Sequence, residues 1–340
     1  MKNLWKTLAI AAALAATSLS TTARAADNEL PADVIAAAKK EGKVVFYTSF
    51  LGAKAHLDII KTFEAKYGIP VELLDVRASE MNERIRTEQT SQRYIGDVQQ
   101  NGASALVLQH NDGFVQPHGD IPNARNLLPD HVATDFGVPC YVLGYGILVN
   151  TNAVKPDEMP KSWKDITDPK WKGKIISDDP RAAGGGGVMF SAFEDKLGDD
   201  FNVALSKQEL VLSRDIGNDE RRVARGEYPM RIPQLFSTWL ALKSLPVKFV
   251  APAEGLPFIR FDFGVLKGAP HPNAARLFIN HYLSEQVQAA YANAGLIPVV
   301  AGVLDKAGEA GQELKSMKLM GTTSPDTQQK MQDRAKQLYP

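Results

Sequence analysis

Apolar residues recur along this chain in two rhythms that alternate. Compact apolar runs of strand length, at 44–47 and 71–76, are separated by longer stretches in which apolar residues fall three and four apart. Ile59, Ile60, Phe63 and Tyr67 mark a helix over 55–67, and Gly68 supplies its stop. A shorter helix is predicted over 32–40, ended by Gly42, and a polar one over 79–91. The pattern resumes in the middle of the chain, with strand-like runs at 146–150, 172–177, 247–251 and 261–266. An apolar helix is predicted from Val188. An amphipathic helix using Ala275, Phe278, Ile279 and Tyr282 is predicted over 272–282, and another over 284–294 closed by Gly295. Strands alternating with helices of this length imply an α/β fold with parallel sheets and crossover helices. The last 35 or so residues are polar and helix-prone and carry no site signal.

Ligands of such sheets sit beyond the carboxyl ends of the strands. That rule selects Ser49 and Phe50 after the first strand, Arg77 after the second, and Asn101 in the third. In the middle of the chain it selects the loop 178–187, which runs from Asp178 through Arg181 to four glycines, Gly184 to Gly187.

The N-terminus is different material. Lys2 and Lys6 precede an apolar run from Leu8 to Leu19, and Ala23-Arg24-Ala25 has the A-x-A form that a signal peptidase cuts. The run is too short for a spanning helix, which needs about 20 residues. Residues 1–25 are therefore expected to be a cleaved signal peptide that delivers the mature chain to the periplasm. Removing Lys2, Lys6 and Arg24 from a balanced 39 basic and 39 acidic residues leaves a net charge of −3. With no dense basic run in the remainder, nucleic acid is not an expected partner. Cys140 is the single cysteine, so no internal disulfide forms; its apolar neighbours Val138, Pro139, Tyr141 and Val142 predict a buried structural thiol. The six histidines are dispersed with no metal-site spacing, and no nucleophile elbow or P-loop is present.

Several stretches resemble the periplasmic binding proteins of ABC importers, of the type II group related to ferric-ion-binding proteins. Pro160-Lys161-Ser162-Trp163-Lys164-Asp165-Ile166-Thr167-Asp168-Pro169-Lys170-Trp171-Lys172-Gly173-Lys174-Ile175 is similar to that family's P-x-S-W-x-D-L-x-D-P-x-W-K-G-K-I segment. The strand at Glu41–Ser49, the strand end at Asn150-Thr151-Asn152, the segment Lys267–Ala275 and Leu283-Ser284-Glu285-Gln286 also resemble it. The resemblance implies two α/β lobes joined by hinge crossover strands, the first lobe at 26–135 plus 258–340 and the second at 140–250. It further implies no catalysis and no cofactor, and a monomer that closes its hinge on a solute and hands it to an inner-membrane permease. An exported enzyme, or a binding protein coupled to a sensor kinase, is the alternative from another class.

The resemblance also suggests ferric iron as the solute, but the residues argue against it. Ferric members use two adjacent tyrosines with a His and a Glu, and those positions fall here at Leu235-Phe236, near Leu51 and at Gly102. None offers the anionic oxygen a hard cation requires, and no Tyr-Tyr occurs anywhere in the chain. The remaining candidates suggest a small organic anion, a carboxylate or a phosphonate. Arg77 and Arg181 would clamp it, and the N–H groups around Gly185 and Gly186 would receive its charge. Ser49, Asn101 and Gln234 would add neutral hydrogen bonds, and Phe50 and Phe236 would cover an apolar body. Either arginine has a plainer use: Arg77 pairing with Asp75 or Glu80, Arg181 with Asp178 or Asp179. A cation held by Asp178, Asp179 and Glu80, or an iron chelate, also stays open.

Overall fold

A computed structural model describes residues 28–49 and 54–340. The signal segment, Phe50 and Leu51 lie outside the described residues.

The first third of the chain builds α1 (Ala32–Glu41), β1 (Val44–Thr48), α2 (Lys54–Tyr67), β2 (Val71–Asp75), α3 (Ala78–Thr90), β3 (Val98–Gly102), α4 (Ala103–Asn111) and a short β4 (Val115–Gln116). All five residues of β1 are buried, the mark of a strand covered on both faces. A long β5 (Val138–Asn150) leads to the middle third: β6 (Ile175–Asp178), α5 (Gly185–Leu197), α6 (Asp199–Ser206), β7 (Val211–Ser213), α7 (Ile216–Ala224), β8 (Met230–Leu235), α8 (Phe236–Trp239) and β9 (Val247–Val250). A second long strand, β10 (Leu256–Leu266), returns. It is followed by α9 (Pro272–Tyr282), α10 (Glu285–Asn293), β11 (Ile297–Pro298), α11 (Val303–Lys306), α12 (Glu309–Lys315), β12 (Leu319–Gly321) and α13 (Pro325–Leu338).

The strands hydrogen-bond in the order β2-β1-β3-β10-β5-β8-β6-β7. At one end β2, β1 and β3 are parallel; at the other β8, β6 and β7 are parallel. Between them β3, β10, β5 and β8 run antiparallel to their neighbours. β5 is shared by both ends, pairing with β10 and β11 through 138–144 and with β8 and β9 through 145–150. The molecule is thus two α/β lobes joined through long strands, the fold class the sequence implies.

Each lobe has its own core. In the first, Phe46, Phe63, Phe263, Phe278 and Tyr282 pack together, with Phe46 and Phe278 rings 4.9 Å apart. In the second, Trp163 packs 4.8 Å from Phe193, which in turn meets Phe201. The tryptophan segment that carries the family resemblance is scaffold. Ser162 caps the turn at Trp163–Thr167, Asp165 accepts from the N–H groups of Lys161 and Ser162, and the Trp163 indole donates to the Gly255 carbonyl at 2.8 Å. Cys140 is buried as expected, its Sγ between the Gln100 amide and the Phe261 carbonyl, both at 3.1 Å.

Two elements differ from the sequence reading. β5 starts eight residues before the run at 146–150, because the apolar stretch from Val138 continues the pairing with β10 into the first lobe. The C-terminal helix α13, assigned by sequence with the first lobe, packs its Met331, Ala335 and Tyr339 against Phe190 of α5 in the second.

Candidate functional site

A cavity of about 840 Å³ is lined by residues of both lobes. That volume falls within the roughly 300–1,000 Å³ usual for small-molecule sites. First-lobe strand ends supply one wall: Ser49 after β1, Arg77 to Ser79 entering α3, and Asn101 to Ala105 entering α4. β10 crosses the floor with Phe258, Ile259, Arg260 and Phe261. Tyr145 of β5, Ala183, Gly184 and Val188 form the opposite wall.

Arg77 is the N-cap residue of α3, exposed, and its guanidinium has no partner among the described residues. The ion pair with Asp75 or Glu80 that the sequence allowed does not form. α3 and α4 both open onto the cavity with their first turns, where backbone N–H groups lack intrahelical partners and the helix dipole is positive. Arg260 adds a second cation. Its Nε and Nη2 hold Asp262 in a two-pronged pair, 2.7 Å each. Burial pushes the Asp262 carboxyl up, and Arg260 counters it. His131, half-buried at the rim beside the exposed Asp130, is held below the usual imidazole range by burial and by the Arg260 charge. It is therefore neutral at pH 7. Tyr145 is buried, which pushes its hydroxyl up and keeps it protonated.

Asn101 lines the cavity, but its amide is committed. Nδ2 donates to Asn82 Oδ1 at 2.7 Å, and its own Oδ1 accepts from the Gly102 N–H at 3.0 Å. Asn82 is itself held by Gln109. This network fixes the entrance to α4 and presents Asn82, which the strand-end rule passed over because it lies one turn inside a helix.

The remaining candidates lie elsewhere. Arg181 does not line the cavity. Its Nε and Nη2 bind Asp179 at 2.9 and 3.2 Å, and its Nη1 donates to the Tyr339 carbonyl at 3.1 Å. The glycine turn is likewise turned inward. Gly186 donates its N–H to Asp178 Oδ2 at 2.8 Å, so the chain's own carboxylate takes the place offered to an anion. Burial pushes the Asp178 carboxyl up while that N–H draws it back. A Cβ on Gly186 would stand 2.5 Å from the Asp178 carbonyl oxygen, which explains the glycine by close backbone approach. Gly185 sits against Tyr145, Pro233 and Asp178; of the four glycines only Gly184 reaches the cavity.

Gln234 is buried, donating to Glu220 at 2.7 Å and accepting from Arg231 at 3.2 Å. Phe236 is buried with its ring 5.2 Å from Phe249 and 5.4 Å from Trp239. Of the two positions the resemblance assigns to a tyrosine pair, Phe236 is apolar core and Leu235 is half-buried. Among the described residues no three His, Cys, Asp or Glu side chains gather to hold a metal ion, and no helix is long and apolar enough to cross a membrane.

Arg260 and His131 escaped the sequence reading for different reasons. Arg260 sits inside a strand rather than at its end, and His131 lies in a connection without periodicity. For Arg260, the polar interruption of an otherwise apolar strand, Arg260 and Asp262 among Phe258, Ile259, Phe261 and Phe263, was the available signal.

Comparison with known proteins agrees with this architecture. The family of bacterial extracellular solute-binding proteins matches residues 90–319. The iron uptake protein A1 of Synechocystis is 28% identical over 295 residues, covering 79% of this chain and 78% of its own. Among solved structures, the substrate-binding protein of an ABC transporter from Agrobacterium tumefaciens superposes with a TM-score of 0.74 at 18% identity, covering 88% of this chain and 94% of that one. The periplasmic binding protein AfuA of Actinobacillus pleuropneumoniae, with fructose-6-phosphate bound, gives 0.70 at 21% identity over 86% and 97%. Two lobes around a shared cavity and a family match over residues 90–319 lead to one conclusion: this chain belongs to the bacterial extracellular solute-binding proteins, which bind and do not catalyse.

Proposed function

We propose that this protein captures a small organic anion between its lobes and delivers it to the permease of an ABC importer. One observation carries the reading: Arg77, whose guanidinium has no partner among the described residues, lines one cavity together with the first turns of α3 and α4 and with Arg260. An arginine and two positive helix ends around one space favour a carboxylate, phosphate or phosphonate over a cation. The apolar faces of Phe258, Ile259 and Val188 suit a carbon skeleton, and the hydroxyls of Ser49, Ser79 and Ser104 suit an oxygen-rich one. The sugar phosphate held by the Actinobacillus protein is of this chemical class. The iron uptake of the Synechocystis relative is not supported by the donors here: Leu235 and Phe236 stand where the tyrosine pair is expected, Tyr145 is the one tyrosine among the described residues lining the cavity, and Asp130 and His131, which line it too, belong to no cluster of three His, Cys, Asp or Glu side chains.

Closure would bury the solute under both lobes, and its contacts to each would hold the closed form. A thermal-shift screen tests the reading, because a ligand specific to the native state raises the melting temperature by mass action. Sugar phosphates, phosphonates and di- and tricarboxylates are expected to contain the stabilising compound. A shift with polyamines alone would end the anion reading, as would a tyrosinate–Fe(III) colour in the purified protein.

A further inference from the structure

The polar C-terminal segment does more than finish the fold. β12 pairs in parallel with β10, Leu256 opposite Leu319, and carries the chain to the edge of the cavity. Thr322, Thr323 and Gln328 line that cavity. On the first-lobe side, Ser104 of α4 donates to the Thr323 carbonyl at 3.3 Å. On the second-lobe side α13 is latched. Arg334 holds Asp199 with two hydrogen bonds of 2.8 and 2.6 Å, Arg181 reaches the Tyr339 carbonyl, and Met331, Ala335 and Tyr339 pack on Phe190. Residues 319–340 thus form a strap that meets both lobes beside the cleft.

Two polar groups on this strap lack a use within the fold. Thr323 Oγ1 is buried without a hydrogen-bond partner, and buried hydroxyls are ordinarily satisfied. The Gln328 carboxamide has no partner among the described residues, although it stands on the first turn of α13 at the cavity wall. It also borders a side cavity of about 20 Å³ between α13 and the glycine turn, together with Thr323, Gly184 and Val188. That space is sufficient for one water. Thr323 and Gln328 therefore bring a hydroxyl and an amide, a neutral donor and acceptor set, to the cavity that Arg77 also lines, where α4 and the glycine turn approach each other.

We propose that Thr323 and Gln328 contact the solute and set its specificity, hydrogen-bonding the hydroxyl or carbonyl oxygens that it carries besides the anionic group. The inference rests on the reading of this cavity as the solute cleft. It makes the strap a third wall that selects among anions by what they carry besides charge.

The test uses calorimetry on the full mature chain with fructose 6-phosphate, glycerol 3-phosphate, citrate and inorganic phosphate as probes. Thr323→Val and Gln328→Ala should each weaken the tightest oxygen-rich probe about tenfold while changing inorganic phosphate less than twofold; Arg77→Ala should weaken both alike. Melting temperatures of the unliganded variants control for folding, and Thr323→Ser, which keeps the hydroxyl, should restore affinity where Thr323→Val has lost it. Unchanged selectivity in both strap variants, with Arg77→Ala still impaired, overturns the strap proposal and leaves the cleft reading standing. Failure of the wild type to bind any probe, or full binding by Arg77→Ala, overturns the cleft reading and the strap proposal with it.

Discussion

The two walls of the cleft read alike in the sequence and fold to opposite ends. Each places an arginine ahead of a helix at the end of a strand: Arg77 before α3, Arg181 before α5. Arg77 keeps its guanidinium free beside an open helix start. Arg181 is taken by Asp179, which Arg214 also grips at 2.9 Å, and by the end of the chain. The helix starts differ in the same sense, because Asp178 folds back to accept from Gly186 whereas no carboxylate caps α3 or α4. The lesson concerns acids more than arginines. Two aspartates at the end of β6, Asp178 and Asp179, turn an apparent anion site into an internal brace.

The largest effect expected from that difference is on folding. Gly186→Ala should destabilise the protein by about 3 kcal/mol, the upper part of the overpacking range, since the new methyl meets backbone at 2.5 Å. Urea unfolding measures it, and a loss below about 1 kcal/mol would show the turn to be loose enough to admit a ligand. Next is Arg77→Ala, expected to weaken anion binding by about 1.5–3 kcal/mol, the range for a charge-assisted hydrogen bond, at nearly constant melting temperature. Unaltered affinity by calorimetry would erase the contrast between the walls. Arg181→Ala should do the reverse, costing about 1 kcal/mol of stability while the dissociation constant stays within twofold.

The smallest effect is one of pH. Burial raises the Asp179 carboxyl, but the hydrogen bonds from Arg181 and Arg214 outweigh it and leave the group below its ordinary value of 3.8. A depressed carboxyl contributes stability that is present above the unfolded value and is lost as pH falls through the folded one. The stability gap between wild type and Arg181→Ala should therefore be constant above about pH 5 and narrow below about 3.8. A gap that persisted at pH 2.5 would mean that the brace depends on the chain-end carbonyls instead.

Much of the fold was legible because its signals are local. The periodicity over 55–67 and 272–282 gave α2 and α9 nearly to the residue, and the tryptophan segment gave the lobe architecture. The site was legible only in part. Strand ends led to Ser49, Arg77 and Asn101, all at the cavity. Gln234 and Phe236 came instead from the place where the resemblance puts a tyrosine pair; they stand at the end of β8, which lies between β5 and β6 and leads straight into α8, and both are buried. Whether a strand end is open depends on what packs over it, which is a long-range property. Gln328 was invisible for a related reason: nothing in a polar C-terminal helix announces that its first turn will stand beside residues over a hundred positions earlier.

Cys140 carries a last consequence. A lone thiol on a protein exported to an oxidising compartment invites cross-linking between copies or capping by small disulfides. Here it lies in the seam between β5 and β10, fully enclosed, with burial pushing its ionisation far up and so withholding the reactive thiolate. The native protein should tolerate oxidants without reductant, and any slow reaction with a thiol reagent would be a clock for the parting of the two strands that tie the lobes together.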